Sequence, residues 1–329
     1  MIRKNQYILY TVLFCFLFGA CSNQRSIAEK VDHKQGDITV VSDHVPVSLA
    51  DPFILHYKDT YYAYGTSSDN GFEVYYSDNL HSWKKHNQML LKKEDSFGEK
   101  WFWAPEVYYN ASNNKFYLFY SAEEHICVAI SDSPLGPFRQ TEKKPMLQEK
   151  GIDSSLFIDE DGTAYIYFVR FTNGNVIWVA ELEDDWQTIK EETLIKCIEA
   201  SPEGWEAALG KVVEGASVLK QDGQYYMLYS GNDFRSQDYG VGYATAPSPK
   251  GPWKKHEGNP VLQRPKEGLV GTGHGAYFHD KDKHYKYVFH AHHDTTQVHP
   301  RLMHIIDMTM ENGVLRMDAG TIVSPTVVE

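Results

Sequence analysis

Asp51, Glu106, Asp153, Glu214 and His274 stand 55, 47, 61 and 60 residues apart, each at the head of a short apolar segment. An acidic side chain on an apolar strand is costly unless it is paired, solvated or bound to a metal. Gathered at one place, like charges raise one another's pKa, so one carboxyl can stay protonated near neutral pH while another stays ionised. Such a set can give a proton at one atom and take one at another. Singly, each residue has an ordinary use: Asp51 before Pro52 as a turn or cap, Asp153 before Ser154 and Ser155 as a local hydrogen-bonding motif, Glu214 before Gly215 as a surface acid. Their recurrence at matched positions favours a shared site.

The elements that must position them repeat in the same rhythm. The segments Asp51–Leu55, Pro105–Tyr109, Asp153–Phe157, Glu214–Val218 and His274–Phe278 are each followed by a polar turn, such as Asp161-Gly162 or Asp222-Gly223. An aromatic strand comes next every time: Tyr61–Tyr64, Phe116–Tyr120, Tyr165–Phe168, Tyr225–Tyr229 and Tyr285–Phe289. Asp-Gly between alternating apolar residues is a strong hairpin signal. Five such units predict an all-β, single five-bladed β-propeller, each blade a small antiparallel sheet that cannot bury its faces alone. A β-sandwich would also give many short strands but not five parallel openings. The first strand of each blade lines the central channel, so the openings are expected to ring one mouth of it.

Ala50-Asp51-Pro52-Phe53-Ile54, Trp103-Ala104-Pro105-Glu106-Val107, Ile152-Asp153-Ser154-Ser155-Leu156-Phe157 and Val213-Glu214-Gly215-Ala216 resemble the signatures of glycoside hydrolase family 43, which contains arabinanases, α-L-arabinofuranosidases and β-xylosidases. The resemblance covers residues 46–325. It implies that Asp51 is the catalytic base, Glu214 the general acid, and Asp153 the group that tunes and orients the acid. It implies an inverting reaction, whose two carboxyls stand roughly 6.5–9.5 Å apart to admit a water. Glu106 is given no proton-transfer role, because the acid of this motif is local and structural in the family. Trp103 and Trp101 are expected to offer a stacking face for a sugar, and Arg301 corresponds to an arginine that contacts it. His274 matches a histidine on the propeller axis that in relatives lies near an ion, often calcium; no cofactor is required. His290-Ala291-His292-His293-Asp294 invites a metal reading, but no second group at zinc spacing accompanies it, and a loop lining the pocket is preferred. No composition break follows the propeller, so the C-terminal β-sandwich of many β-xylosidases of that family is not expected, and the resemblance then implies L-arabinofuranosyl units of plant-type polysaccharides as the substrate. A β-xylosidase or endo-arabinanase is the alternative within the family, and a non-catalytic glycan-binding surface protein the alternative outside it.

The 329-residue chain carries a net charge of −12 without a basic stripe, which argues against a nucleic-acid partner. Arg3 and Lys4 precede an apolar run from Tyr7 to Phe18 and then Gly19-Ala20-Cys21. A basic start, a short apolar stretch and small residues predict a signal peptide over 1–20. Cys21 is expected to carry the lipid of a bacterial lipoprotein, with 21–45 a polar tether and 46–329 the propeller. The expected state is an exported monomer held at a periplasmic or cell-surface membrane face. Cys127 and Cys197 then remain as free, buried thiols.

Overall fold

The computed structural model describes residues 45–329; the signal peptide expected over 1–20, the lipidation expected at Cys21 and most of the expected tether lie outside the described residues. Five sheets, antiparallel but for one strand added to the first, succeed one another along the chain, with a small two-stranded sheet of Gly71–Phe72 and Leu91–Lys92 beside the first. Their inner strands are Ala50–Tyr57, Trp103–Asn110, Gly151–Ile158, Val213–Gln221 and Gly273–His279, and each pairs with the aromatic strand that follows it. This is the expected five-bladed propeller. Blade 1 is closed from both ends of the described chain. Thr326–Val327 pairs antiparallel with Val45–Pro46 and parallel with Ser82 and Trp83, so its last strand is inserted beside its first residues.

The middle strands are apolar on both faces because each blade is covered on both. In blade 3, Tyr165, Tyr167 and Val169 pack with Val213, Val218 and Met227 of blade 4. The alternate residues Ile166 and Phe168 pack with Tyr117, Phe119 and Ile126 of blade 2. Side chains of a strand alternate faces with period two, so one run such as Phe116–Tyr120 feeds two cores. The same sharing joins blades 1 and 2, 4 and 5, and 5 and 1. Cys127 lies in one of these cores, where burial pushes its thiol up to about 12. Cys197, also free, is only partly buried, which corrects the expectation for that thiol.

Every inner strand carries a bulge at the same place. The pairing register slips between Ala50 and Phe53, Trp103 and Glu106, Ile152 and Ser155, Glu214 and Ser217, and Gly273 and Ala276. The first bulged residue is left-handed in all five: Asp51, Ala104, Asp153, Gly215 and His274 have φ of 50, 45, 58, 59 and 38°. A bulge bends its strand and re-aims a side chain, and a left-handed first residue normally favours glycine. Only blade 4 supplies one.

This register corrects the sequence reading. The equivalent positions are 51, 104, 153, 215 and 274, not 51, 106, 153, 214 and 274. Glu106 sits two residues beyond the first bulged residue of its blade, equivalent in register to Phe53, Ser155, Ser217 and Ala276. Glu214 sits one residue before its own. An insertion that slips a strand by one residue cannot be seen in a repeat matched by residue type.

Candidate active site

The bulges open onto one cavity of about 910 Å³, lined among others by Asp51, Thr66, Trp103, Asp153, Asn175, Glu214, Phe234, His274 and Arg301. Asp51, Asp153, Glu214 and His274 are all buried against its wall. The structure therefore brings together the three carboxylates, Trp103, His274 and Arg301. Trp101 is not among the lining residues. It is 42 % exposed and stacks on Trp103, ring centroids 5.9 Å apart, so it backs that wall instead of facing the cavity.

Asp51 is wrapped by positive and donor groups. Arg301 Nη1 donates to its Oδ1 at 2.8 Å and Thr66 Oγ1 donates to its Oδ2 at 2.7 Å. The Nδ1 atoms of His274 and His290 each lie 3.4 Å from Oδ1. Burial works to raise the Asp51 pKa, but the Arg301 guanidinium foremost, with the His274 imidazole and the Thr66 hydroxyl, outweighs it and holds the carboxyl well below the usual range. This group stays ionised.

Glu214 meets the opposite environment. Tyr239 OH donates to its Oε1 at 2.7 Å and Asn175 Nδ2 donates to its Oε2 at 2.8 Å. Burial and the Asp51 charge raise its pKa, against the pull of His274, Tyr239 and Asn175. Asp153 is pushed well above its usual value by burial and by the Glu214, Asp51 and Glu106 carboxylates. Both shifts run the same way, so each carboxyl favours its protonated form more than a free one would.

Gly215 must be glycine twice over. Its φ is positive, and a Cβ there would stand 2.8 Å from His274 Cδ2. Glu106 lies outside this group: it accepts a hydrogen bond from Tyr108, and burial pushes its pKa up to about 8. Asp153, Glu214 and His274 offer ligand atoms within 4.8 Å of one another. Of the six to eight ligands that calcium takes, these residues could supply at most a few, and water would have to supply the rest.

Sequence reasoning missed Thr66, Asn175, Tyr239 and His290. The first three carry no motif of their own. His290 does not line the cavity from a loop, as expected. It lies in the strand Tyr285–Ala291, fully buried, and accepts a hydrogen bond from the Asp51 backbone N–H at Nδ1, 3.1 Å away.

The family model for glycosyl hydrolases family 43 matches residues 44–315. The chain belongs to glycosyl hydrolase family 43. It is therefore a glycosidase and cleaves glycosidic bonds. Among solved structures, it is similar to an endo-1,4-β-xylanase from Bacteroides thetaiotaomicron VPI-5482, 51% identical, covering 87% of this chain and 99% of that one at a TM-score of 0.83. A β-D-galactofuranosidase from Aspergillus niger is 27% identical over 278 residues, 77% of each chain. A xylosidase/arabinosidase from Bacteroides ovatus is 26% identical over 75% of this chain and 86% of its own. Membership agrees with the geometry: the cavity holds one carboxyl whose surroundings lower its pKa and two whose surroundings raise theirs.

Proposed function

We propose that this family 43 glycosidase is an inverting furanosidase that releases α-L-arabinofuranosyl units from plant-type polysaccharides or their oligosaccharides. The observation that carries the reading is the split between Asp51 and Glu214. Environments that push two carboxyls apart in pKa assign the base and the acid. Asp51 takes a proton from the attacking water as its oxygen bonds to the anomeric carbon. Glu214 gives its proton to the departing glycosidic oxygen as that C–O bond breaks. Asp51 ends protonated and Glu214 ionised, and exchange with solvent resets both. Asp153, which offers an oxygen within 4.8 Å of Glu214, is the neighbouring carboxyl that tunes and orients the acid. Both transfers have a protein carboxyl, so no cofactor is needed.

The furanose assignment rests on the relatives together with ring chemistry. β-D-galactofuranose and α-L-arabinofuranose share the configuration of the furanose ring and differ in the exocyclic arm. One pocket shape thus serves a galactofuranosidase and an arabinosidase alike. Trp103 supplies an aromatic wall for the apolar face of such a ring. The xylanase at 51% identity favours a second reading, in which D-xylosyl units of xylan are released.

A panel of 4-nitrophenyl glycosides decides between them. Turnover of the α-L-arabinofuranoside well above the β-D-xyloside is expected, with the β-anomer of arabinose formed first by proton NMR. Exclusive release of D-xylose would establish the second reading. Asp51→Asn is expected to lower kcat by about 10²–10⁴-fold; an unimpaired variant would remove Asp51 from the chemistry.

A further inference from the structure

Four of the five bulges are fastened in one way. The N–H of the bulged residue donates to a side chain at the end of the second strand of the preceding blade. Ala104 donates to Thr66 Oγ1 at 2.9 Å, Asp153 to Ser121 Oγ at 3.0 Å, His274 to Ser230 Oγ at 2.7 Å, and Asp51 to His290 Nδ1 at 3.1 Å. The four acceptors are equivalent by register, since they pair with Ala50, Trp103, Glu214 and Gly273. Blade 3 has Val169 there, opposite Ile152, which cannot accept. Three blades thus meet the requirement with a small hydroxyl. Blade 5 uses a histidine instead.

The larger side chain reaches two further groups. Its Nδ1 lies 3.4 Å from Asp51 Oδ1. Its ring stacks on Tyr239, centroids 5.7 Å apart and planes 13° from parallel. Tyr239, fully buried, donates to Glu214 Oε1 at 2.7 Å. Room for that flat ring is kept by Gly273, where a Cβ would stand 2.3 Å from Tyr239 Cε1. Blades 1 and 4 are neighbours through blade 5 alone on this side of the ring. A continuous chain of contacts, Asp51–His290–Tyr239–Glu214, crosses that gap beneath the cavity.

We propose that the stacked pair His290–Tyr239 is a spacer that fixes the positions of the base Asp51 and the acid Glu214 relative to each other. Both are positioning residues, and the inference rests on the proposed roles of those two carboxylates. An inverting reaction needs a set separation, with a water held between base and sugar, and a misplacement of about 1 Å can cost on the order of a hundredfold in rate. The two ends of the spacer govern different bonds. Tyr239 holds the acid, which matters in proportion to how poor the leaving group is. His290 holds the base, which every substrate needs alike.

The test compares Tyr239→Phe and His290→Ser on two substrates of the same sugar, one with a 2,4-dinitrophenyl and one with an alkyl leaving group. Serine at 290 restores the acceptor that blades 2 and 4 use, so it answers the bulge requirement while removing the contact to Tyr239. Tyr239→Phe is expected to lower kcat on the alkyl glycoside about tenfold or more and to spare the dinitrophenyl glycoside. His290→Ser is expected to lower kcat on both by a similar factor, about ten- to a hundredfold, with KM little changed. Wild-type kcat in His290→Ser would reduce the histidine to a bulge acceptor, and equal losses on both substrates in Tyr239→Phe would reduce the tyrosine to packing; either overturns the spacer. Thermal melts accompany both, and if His290→Ser does not fold, the isosteric Tyr239→Phe decides alone. Should Asp51→Asn and Glu214→Gln prove active, the proposed function falls; should they be dead while the spacer variants match wild type, only the spacer falls.

Discussion

Blades 2 and 3 build the same bulge and put it to different use. Ala104 and Asp153 occupy equivalent positions, with φ of 45 and 58°, and each N–H is held by a hydroxyl of the blade before. In blade 3 the bulge aims a carboxylate into the cavity; in blade 2 it aims a methyl group, and the blade's acid, Glu106, falls two residues later beside Tyr108. The backbone device therefore belongs to the propeller, while the chemistry belongs to the side chain placed on it. A non-glycine residue in this conformation costs about 1–2 kcal/mol. Blade 2 bears that cost without gaining a reactive group, so the bulge recurs independently of the chemistry placed on it.

The comparison can be broken by exchanging which acid is removed. Glu214→Gln is expected to lower kcat on unactivated glycosides by about 10²–10⁴-fold, whereas Glu106→Gln should leave kcat close to wild type. Steady-state kinetics of both would check it, and a comparable loss in Glu106→Gln would place that residue in the site. The next effect in size is structural. Gly215→Ala combines a left-handed alanine with a methyl pressed on His274, and is expected to cost about 2–4 kcal/mol in denaturant unfolding. A stability unchanged by it would show that blade 4 does not need the shared backbone.

Arg301→Met sharpens the reading of Asp51. The base works ionised, above its pKa, and Arg301 leads the groups that hold that pKa down. Without it the Asp51 pKa should rise towards about 4, the ordinary aspartate value. The acid limb of the kcat/KM profile should move to higher pH, and the basic limb should follow by less, because Arg301 is also the weaker brake on the Asp153 pKa. The sign holds for stability as well: a carboxyl with a lowered folded pKa stabilises the fold above its unfolded pKa, and that contribution is lost as pH falls through the folded value. The smallest effect is expected at blade 2. Ala104→Gly relieves a left-handed alanine and should stabilise by about 0.5–1 kcal/mol, read as a small rise in Tm with activity intact.

The five-fold repeat was legible in the sequence because each blade must bury both faces. That requirement writes aromatic runs such as Phe116–Tyr120 and Tyr225–Tyr229 at nearly regular spacing, separated by turn residues. Asp51, Asp153 and Glu214 were legible too, since an acid beside Pro, Ser-Ser or Gly-Ala at a blade's head stands out against apolar neighbours. Their register was not. The bulge inserts one residue by conformation and not by composition, so Glu106 looked equivalent to Asp51, and only strand pairing separates them.

What the sequence by itself determined, then, is the architecture and the cast: five blades and three carboxylates. Tertiary structure decided which of those carboxylates meet, and in which charge state. Asp51 is held ionised by Arg301, 250 residues away in the chain, and Glu214 takes hydrogen bonds from Tyr239 and Asn175, 25 and 39 residues away. His290 reaches Asp51 across 239 residues. The physical reason is that local pattern follows from burial, which each strand feels on its own. A pKa depends on charges and donors a few ångströms away, and those are assembled only when the ring of blades closes.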